Sequence, residues 1–151
     1  MKSSRLLLLV LALLGVTAAP FTLRAESSAW TEDYQAALAQ AAKENKKVFL
    51  LFTGSAWCPP CKMMERDVFS KPEFLDYAAK NLVLVMLYFS PDGKSKSKAF
   101  GADQEGLAQK FSIEGFPTFI LTDASGKVLA RNMGYVPGGP EAIIRWIKSA
   151  N

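Results

Sequence analysis

The stretch VFLLFTGSAWCPPCKMMERDVF, residues 48–69, decides the fold of this chain. It opens with five apolar residues, 48–52, and such a run is typical of a strand buried on both faces of a sheet. A turn-prone segment, 53–57, leads to Cys58 and Cys61, which two prolines separate. Proline suits the first turn of a helix, where its missing N–H has no partner to lose. We therefore predict a buried strand, a turn, and a helix that begins between the cysteines and runs to the end of the stretch.

Helical periodicity precedes this strand. Thr31 is predicted to cap a helix, with Glu32 and Asp33 in the first turn at the positive end of the helix dipole. The helix is predicted to fade by Asn45. Its buried face is the set of residues that recur at helical spacing, namely Tyr34, Ala37, Leu38 and Ala41.

Downstream, helices and strands alternate and the pattern ends in a hairpin followed by a helix. The sequence predicts, in chain order, a helix over 71–80, a strand over 82–89, a polar loop over 90–101, a helix over 103–111, a strand over 118–121, a turn over 123–126, a strand over 127–132 and a helix over 141–149. Strands interleaved with helices indicate an α/β layer fold, and the closing hairpin indicates a mixed sheet.

The predicted loop over residues 90–101 carries three lysines, Lys94, Lys96 and Lys98. A patch for an acidic partner is one interpretation of these charges. A solvated loop is the simpler interpretation and the favoured one.

The first 25 residues have the pattern of a secretory signal peptide. Lys2 and Arg5 form a positive segment, and the apolar run 6–16 that follows is about half of the roughly 20 residues needed to span a bilayer. Cleavage after Ala18 and cleavage after Ala25 both fit this pattern, and the polar residues 26–28 favour the second. An uncleaved membrane anchor is the alternative.

These features predict a signal peptide over 1–25 and one domain over 26–151, in the periplasm or secreted. Removal of the signal peptide would lower the net charge of the protein. The full chain has a net charge of +4, but residues 1–25 carry three of its 18 basic residues and none of its 14 acidic ones. The remaining domain therefore has a net charge of +1, and a nucleic-acid partner is not expected.

Composition restricts the chemistry further. The chain has no histidine, which excludes Ser-His-Asp catalysis, Cys-His catalysis and histidine metal sites. Its two cysteines cannot by themselves close a four-ligand zinc site. We expect no cofactor and no metal, and we expect any reaction to involve the two thiols.

The cysteine pair fits redox chemistry better than a static bridge. A disulfide between Cys58 and Cys61 closes a very small ring and adds little stability through loop closure. At a helix start, the dipole and the free N–H groups lower a thiol pKa from about 8.5 to near 7. We predict that Cys58 is the exposed, attacking thiol. Cys61, one turn along and facing inward, would resolve the mixed disulfide.

Two motifs in this chain resemble those of the thioredoxin family. Residues 57–62, WCPPCK, look like the active site, and residues 113–118, IEGFPT, look like the segment that holds the family's cis-proline. The resemblance covers most of residues 30–151. It implies a thioredoxin-like three-layer α/β/α sandwich with a central mixed β-sheet, in which Pro117 is cis and packs beside the disulfide.

The same resemblance suggests further site residues. Gly126 fits the turn of the final hairpin and Gly134 the glycine that follows it. Trp57 is expected to pack beside the active site and Phe116 to border the groove of a partner's backbone. For each of these two aromatic residues, simple packing is the alternative.

The residues themselves do not determine the direction of electron flow, but a narrower resemblance favours one. The run over 57–74 is similar to the C-terminal periplasmic domain of DsbD-type thiol–disulfide interchange proteins, which passes electrons to periplasmic disulfides. It implies a protein-disulfide oxidoreductase that works as a reductase. The expected partners are protein thiols and disulfides and a membrane electron donor, and a monomer is expected.

One position departs from the family pattern. Thioredoxins usually have a buried Asp six residues before the first active cysteine, where this chain has Phe52. In the family that acid helps to take a proton from the second thiol. Glu65 lies four residues after Cys61, one helical turn away, and the interchange domains also have an acid there. We predict a proton-acceptor role for Glu65, with an exposed helix residue as the alternative.

Two other functions remain open. One is an electron relay for a single dedicated partner, as in cytochrome c maturation. The other is a binding module that carries Cu(I) between the two thiolates, in which Met63 and Met64 would be candidate extra ligands. On the active helix, however, these methionines are expected to be core or groove residues.

Overall fold

The computed structural model of the protein describes residues 29–150. The predicted signal peptide, 1–25, lies outside the described residues, as does the start of the predicted domain. Within 29–150, no helix combines the length and the apolar character that a membrane span requires.

The described chain forms one five-stranded sheet with helices on both faces. The strands are β1 Trp30–Thr31, β2 Lys47–Thr53, β3 Leu82–Tyr88, β4 Thr118–Thr122 and β5 Val128–Met133, in the spatial order β1-β3-β2-β4-β5. The helices are α1 Tyr34–Glu44, α2 Pro59–Met64 with a π-helical continuation Glu65–Phe69, α3 Pro72–Asn81, α4 Gly101–Lys110 and α5 Gly139–Ser149. The predicted α/β architecture with a mixed sheet is confirmed.

Strand β2 is central and determines where the site lies. It pairs in parallel with β3, up to Thr53 opposite Tyr88, and antiparallel with β4, where Phe52 lies opposite Thr118. The carboxyl ends of β2 and β3 and the first residue of β4 therefore meet at one edge of the sheet. The segments that follow β2 and precede β4 are brought together at this edge.

The side chains of β2 alternate between two cores. Phe49 and Leu51 pack into the core beneath α2, α3 and α5, and Leu50 and Phe52 pack into the core beneath α1. Each is 2% exposed or less, as the continuous apolar run predicts for a strand covered on both faces. At about 1.5–3 kcal/mol for each large apolar side chain buried, this strand is a main source of stability.

The start of α1 differs from the prediction that Thr31 caps it. Thr31 belongs to the short strand β1, where it pairs with Val85, and Asp33 is the capping residue. The Asp33 carboxylate accepts a hydrogen bond from the N–H of Ala36 at 2.9 Å. Glu32 and Asp33 therefore precede the helix. The prediction was wrong because a two-residue edge strand has no periodicity, and Asp caps a helix as well as Thr does.

The helix after the cysteines extends as predicted but changes its winding. From Glu65 to Phe69 it is a π-helix, in which the N–H of Ser70 donates to the carbonyl of Glu65 at 2.9 Å. Such wide turns are rare and often occur near functional sites. Here Val68 and Phe69 are both buried against the sheet.

Candidate active site

Cys58 and Cys61 form a disulfide at the edge where β2 and β3 end. Their Cα atoms are 5.3 Å apart. Cys58 is the N-cap of α2, with an extended backbone, and the N–H of Cys61 points at the Cys58 sulfur at 3.3 Å. In the dithiol form, this N–H and the helix dipole would favour negative charge on the Cys58 sulfur.

The two sulfurs are almost equally hidden in this disulfide form. Cys58 is 3% exposed and Cys61 is 2% exposed. The prediction that Cys58 is exposed is therefore wrong for this form. The segment before β4 contributes to this burial, since its Phe116 carbonyl oxygen lies 3.6 Å from the Cys58 sulfur.

The Cys61 sulfur contacts the turn that follows β2. The N–H of Gly54 points at it at a distance of 3.5 Å. Gly54 also supports the ring of Trp57, because a Cβ atom at this position would lie 2.5 Å from the indole. Only glycine leaves enough room for both arrangements.

The peptide bond between Phe116 and Pro117 is cis, as the resemblance to thioredoxins implies. Pro117 is buried, and its carbonyl accepts a hydrogen bond from the N–H of Gly134 at 2.8 Å. Gly134 has a φ of 91°, which glycine adopts without strain. The glycine after the hairpin thus fastens the Pro117 segment beside the disulfide.

Aromatic rings connect the surface of the site to the core. Trp57 is 39% exposed, donates its indole N–H to the carbonyl of Phe89 at 2.8 Å and meets Phe116 edge to face at 5.9 Å. The ring of Phe116 stacks on Phe89 at 5.4 Å, and Phe89 stacks on Phe52 at 6.1 Å. Phe52 is fully buried at the bottom of this stack. An aromatic ring therefore occupies the position where thioredoxins have an acid.

Glu65 is partly buried at the first residue of the π-helix. It lines a cavity of about 330 Å³ together with Trp30, Met86 and Tyr88. Burial raises the pKa of Tyr88, and the negative charge of Glu65 raises it further. The structure thus places the Glu65 carboxylate in the electrostatic environment of Tyr88. Its role toward Cys61 stays a prediction.

The remaining candidates on α2 have separate environments. Lys62 and Met63 are exposed, whereas Met64 is fully buried and its sulfur accepts the N–H of Val136 at 3.4 Å. Met64 is therefore a core residue, as expected. Within residues 29–150, no three His, Cys, Asp or Glu side chains form a group that could hold a metal ion.

Residues 34–151 match the family of the thioredoxin-like domain. The chain belongs to the thioredoxin-like family.

Two relatives are similar to this chain in sequence. The disulfide bond reductase DsbH of Chlamydia pneumoniae is 36% identical over 119 residues, which are 79% of this chain and 70% of that protein. The thioredoxin-related protein DsbJ of the same organism is 30% identical over 98 residues, which are 64% of this chain but only 27% of DsbJ.

Two solved structures share the fold of this chain. A DsbH oxidoreductase superposes with a TM-score of 0.70 at 34% identity, covering 79% of this chain and 81% of that one. The oxidised C-terminal domain of DsbD from Neisseria meningitidis superposes with a TM-score of 0.56 at 20% identity, covering 78% and 92%.

Some residues of this thioredoxin-like site were missed from the sequence. The carbonyl of Phe89 accepts the indole N–H of Trp57, and its ring lies between the rings of Phe116 and Phe52. In the sequence, however, Phe89 is only the last apolar residue of a predicted strand. The role of Gly54 could have been predicted from its position, because glycine directly after a buried strand often marks a close approach of the backbone.

Proposed function

We propose that this chain is an extracytoplasmic thiol–disulfide oxidoreductase that reduces protein disulfides through Cys58 and Cys61. The observation that carries the proposal is the position of the disulfide at the N-terminus of α2, where the Cys58 sulfur lies 3.6 Å from the carbonyl of Phe116, the residue before the cis Pro117. This position activates one sulfur and leaves the other one helical turn away to complete the exchange.

The first step is attack by the reduced protein on its substrate. The Cys58 thiolate forms a bond to one sulfur of the substrate disulfide, whose S–S bond breaks, and the second substrate sulfur leaves as a thiolate that takes up a proton. The N–H of Cys61 and the helix dipole stabilise the attacking thiolate. The product is a mixed disulfide between Cys58 and the substrate.

The second step releases the substrate. The Cys61 thiol gives up its proton, and its sulfur attacks the Cys58 sulfur, so that the bond to the substrate breaks. The substrate leaves with its second thiol, and the Cys58–Cys61 disulfide forms. Two electrons have then passed from the dithiol to the substrate disulfide, which has become two thiols.

The proton of Cys61 needs an acceptor in this second step. We assign that role to Glu65, four residues along the helix from Cys61. Its partial burial in the cavity that Tyr88 also lines supports a carboxylate that is incompletely solvated. Phe52 carries no acceptor on the other side of the sheet.

Trp57, Phe116 and Pro117 form the proposed substrate groove. Trp57 is among the most exposed large apolar side chains of the described residues, and it touches Phe116 directly. An extended substrate segment next to Pro117 would place its own disulfide against Cys58. The exposed indole would cover apolar side chains of that segment.

Location and direction are part of the same proposal. The signal peptide over 1–25 directs the domain over 26–151 to the periplasm or out of the cell. The relative with 36% identity carries the name disulfide bond reductase, which supports the reducing direction. Because the dithiol is consumed in each cycle, a membrane electron donor would restore it.

Reduction of insulin by dithiothreitol tests the activity. The wild-type protein should accelerate it, and a Cys58→Ser variant should not. A Cys61→Ser variant that is reduced, freed of dithiothreitol and then mixed with insulin should accumulate the mixed disulfide. Equilibration of the Cys58–Cys61 couple with glutathione tests the direction. A potential near that of thioredoxin, about −270 mV, supports a reductase, and one near the oxidant DsbA, about −120 mV, contradicts it.

A further inference from the structure

The segment after β3 is an ordered hairpin at the active-site edge. Phe89 forms an antiparallel bridge with Ser95, and the N–H of Lys96 donates to the carbonyl of Tyr88 at 2.7 Å. The tip is closed by a hydrogen bond from the N–H of Ser90 to the carbonyl of Lys94 at 2.9 Å. The hairpin therefore continues β3 past the edge where the disulfide lies.

Side chains alternate along the returning arm of this hairpin. Ser95 and Ser97 are partly buried, whereas Lys94, Lys96 and Lys98 are exposed. The three lysine side chains therefore face solvent, and the two serines between them are turned toward the protein. We call these three residues the lysine face.

Buried polar groups hold the arm in place. The Ser95 hydroxyl donates to the side-chain carbonyl of Gln104 at 2.7 Å, and the Ser95 N–H donates to the Glu105 carboxylate at 3.1 Å. Gln104 is fully buried. The hydroxyl of Ser97 accepts the N–H of Phe100 at 3.0 Å. These hydrogen bonds hold the backbone that carries the lysines in one arrangement, which a freely solvated loop would not have.

The positive charge of the lysine face is not cancelled by ion pairs. None of the ion pairs found within residues 29–150 includes Lys94, Lys96 or Lys98. The one carboxylate inside the hairpin, Asp92, is bound by the Ser90 hydroxyl and the N–H of Lys94. Asp92 attracts Lys94 electrostatically, and the Glu105 carboxylate binds the Ser95 N–H between Lys94 and Lys96. No ion pair found within residues 29–150 fixes the three ammonium groups, so they can still meet an external anion.

The hairpin is linked to the disulfide through two contacts. Phe89, which bridges to Ser95, stacks on Phe116 at 5.4 Å, and the Phe116 carbonyl lies 3.6 Å from the Cys58 sulfur. Phe89 also accepts the indole N–H of Trp57 at 2.8 Å. A protein that presents a disulfide to Cys58 would therefore bring its neighbouring surface onto the lysine face.

We propose that the lysine face is a docking surface that selects protein disulfides flanked by carboxylates. It rests on the proposed function, since it names the class of substrate protein for that site. Lysine ammonium groups on the hairpin that packs against Phe116 through Phe89 would attract an acidic partner over several ångströms and raise its rate of encounter. A partner with neutral flanks gains nothing from them.

The test uses two synthetic peptides, each with one intramolecular disulfide, that differ only in flanking glutamates or glutamines. Reduced protein, freed of reductant, is mixed with each peptide, and the peptide thiols formed are alkylated and counted by mass spectrometry. The variant that replaces Lys94, Lys96 and Lys98 by glutamine removes the face.

The matched control replaces Lys43, Lys80 and Lys127 by glutamine. These lysines are also exposed, and they lie near the opposite edge of the sheet, where β2 and β3 begin and β4 ends. Both variants change the net charge of the protein equally. A difference between them therefore reports position rather than total charge.

The face variant should reduce the glutamate peptide about tenfold more slowly than wild type at about 10 mM salt. The difference should disappear near 1 M salt, where the screening length falls from about 30 Å to about 3 Å. The glutamine peptide should react at the same rate with all three proteins.

Equal rates for the face and control variants on the glutamate peptide would overturn the docking surface while leaving the oxidoreductase intact. Failure of wild type to reduce either peptide would instead overturn the proposed function, and the docking surface with it. Sedimentation with vesicles of phosphatidylglycerol that needs the lysine face, without any effect on peptide rates, would show that the face binds membranes and would also overturn this assignment.

Discussion

The rings of Phe52 and Phe89 stack with their centroids 6.1 Å apart and their planes 26° apart. Both are fully buried, and Phe89 also stacks on Phe116, whose carbonyl lies 3.6 Å from the Cys58 sulfur. The side of the sheet on which thioredoxins have a buried acid is therefore filled here by packed hydrocarbon. A carboxylate at position 52 would have no water around it.

Replacement of Phe52 by aspartate should destabilise the protein by about 3–5 kcal/mol, because a large buried ring is lost and a polar group is buried. Burial would raise the pKa of the new carboxyl above its unfolded value of about 3.9. The unfolded chain then releases its proton first, and the stability of the variant should fall as pH rises above about 4.

Urea unfolding at several pH values checks this prediction. Phe52→Leu is the control, since it also leaves space in the core but adds no titratable group. Its loss of stability relative to wild type should not change with pH. If the aspartate and leucine variants depend on pH in the same way, the site at position 52 is not as dry as the stacked rings indicate.

A second prediction concerns the turn between β2 and the disulfide. In Gly54→Ala, the new Cβ would lie 2.5 Å from the Trp57 ring, and the indole would have to move away from its bond to Phe89. We expect a loss of about 1–3 kcal/mol in the free energy of unfolding and a change in tryptophan fluorescence.

Gly106→Ala provides the comparison for this change. Gly106 lies inside α4, and a Cβ there meets no other atom within 4 Å. Since alanine favours a helix over glycine, this variant should gain about 0.5–1 kcal/mol. If the free energy of unfolding falls in Gly54→Ala and rises in Gly106→Ala, the loss at position 54 comes from steric contact rather than from the loss of glycine itself.

The sequence predicts the fold well because its strongest signals are local. The apolar run of β2 and the proline-rich helix start each determine an element without help from distant residues. The motif around Pro117 added a cis bond that hydrophobic periodicity could not reveal. Edge strand β1 and the cap at Asp33 were missed, since two residues carry no period and several residue types can cap a helix.

The site was less predictable than the fold because it depends on contacts between distant segments. The Phe116 carbonyl, which lies against the Cys58 sulfur, is 58 residues away along the chain from Cys58. The bond from Trp57 to the Phe89 carbonyl spans 32 residues. Neither distance can be inferred from spacing or composition.

The tyrosines provide a third prediction. Burial raises the pKa of Tyr34, Tyr77 and Tyr88, so each stays neutral in the folded protein at pH values where the unfolded chain has begun to ionise. Below about pH 10 both states are neutral and these groups leave stability unchanged. Above it the unfolded state binds fewer protons, so stability should fall as pH rises.

Absorbance at alkaline pH, followed by unfolding at pH 9 to 11, measures both effects. In Glu65→Gln the titration of Tyr88 should move to lower pH, because the negative charge of Glu65 is one cause of its raised pKa. Tyr77 serves as the internal reference, since burial alone raises its pKa. An unchanged Tyr88 titration would place the carboxylate farther from the ring than the cavity suggests.

The last prediction concerns the proton of Cys61. If Glu65 accepts it, Glu65→Gln should slow the release of substrate from the mixed disulfide by about 10²-fold or more near neutral pH, since general-base catalysis typically contributes that much. Wild type and variant should converge at high pH, where the thiol ionises without help. Formation of the mixed disulfide should not change, because it needs only the Cys58 thiolate.

The measurement starts from reduced protein mixed with a disulfide peptide, with acid quenching to separate the two steps. Glu73→Gln is the matched control, because Glu73 is an exposed acid in the first turn of α3 and carries the same charge. A rate of release that is the same in both variants at every pH would remove Glu65 from the mechanism. Since Phe52 offers no acceptor, water at the mouth of the groove would then be left to take the proton of Cys61.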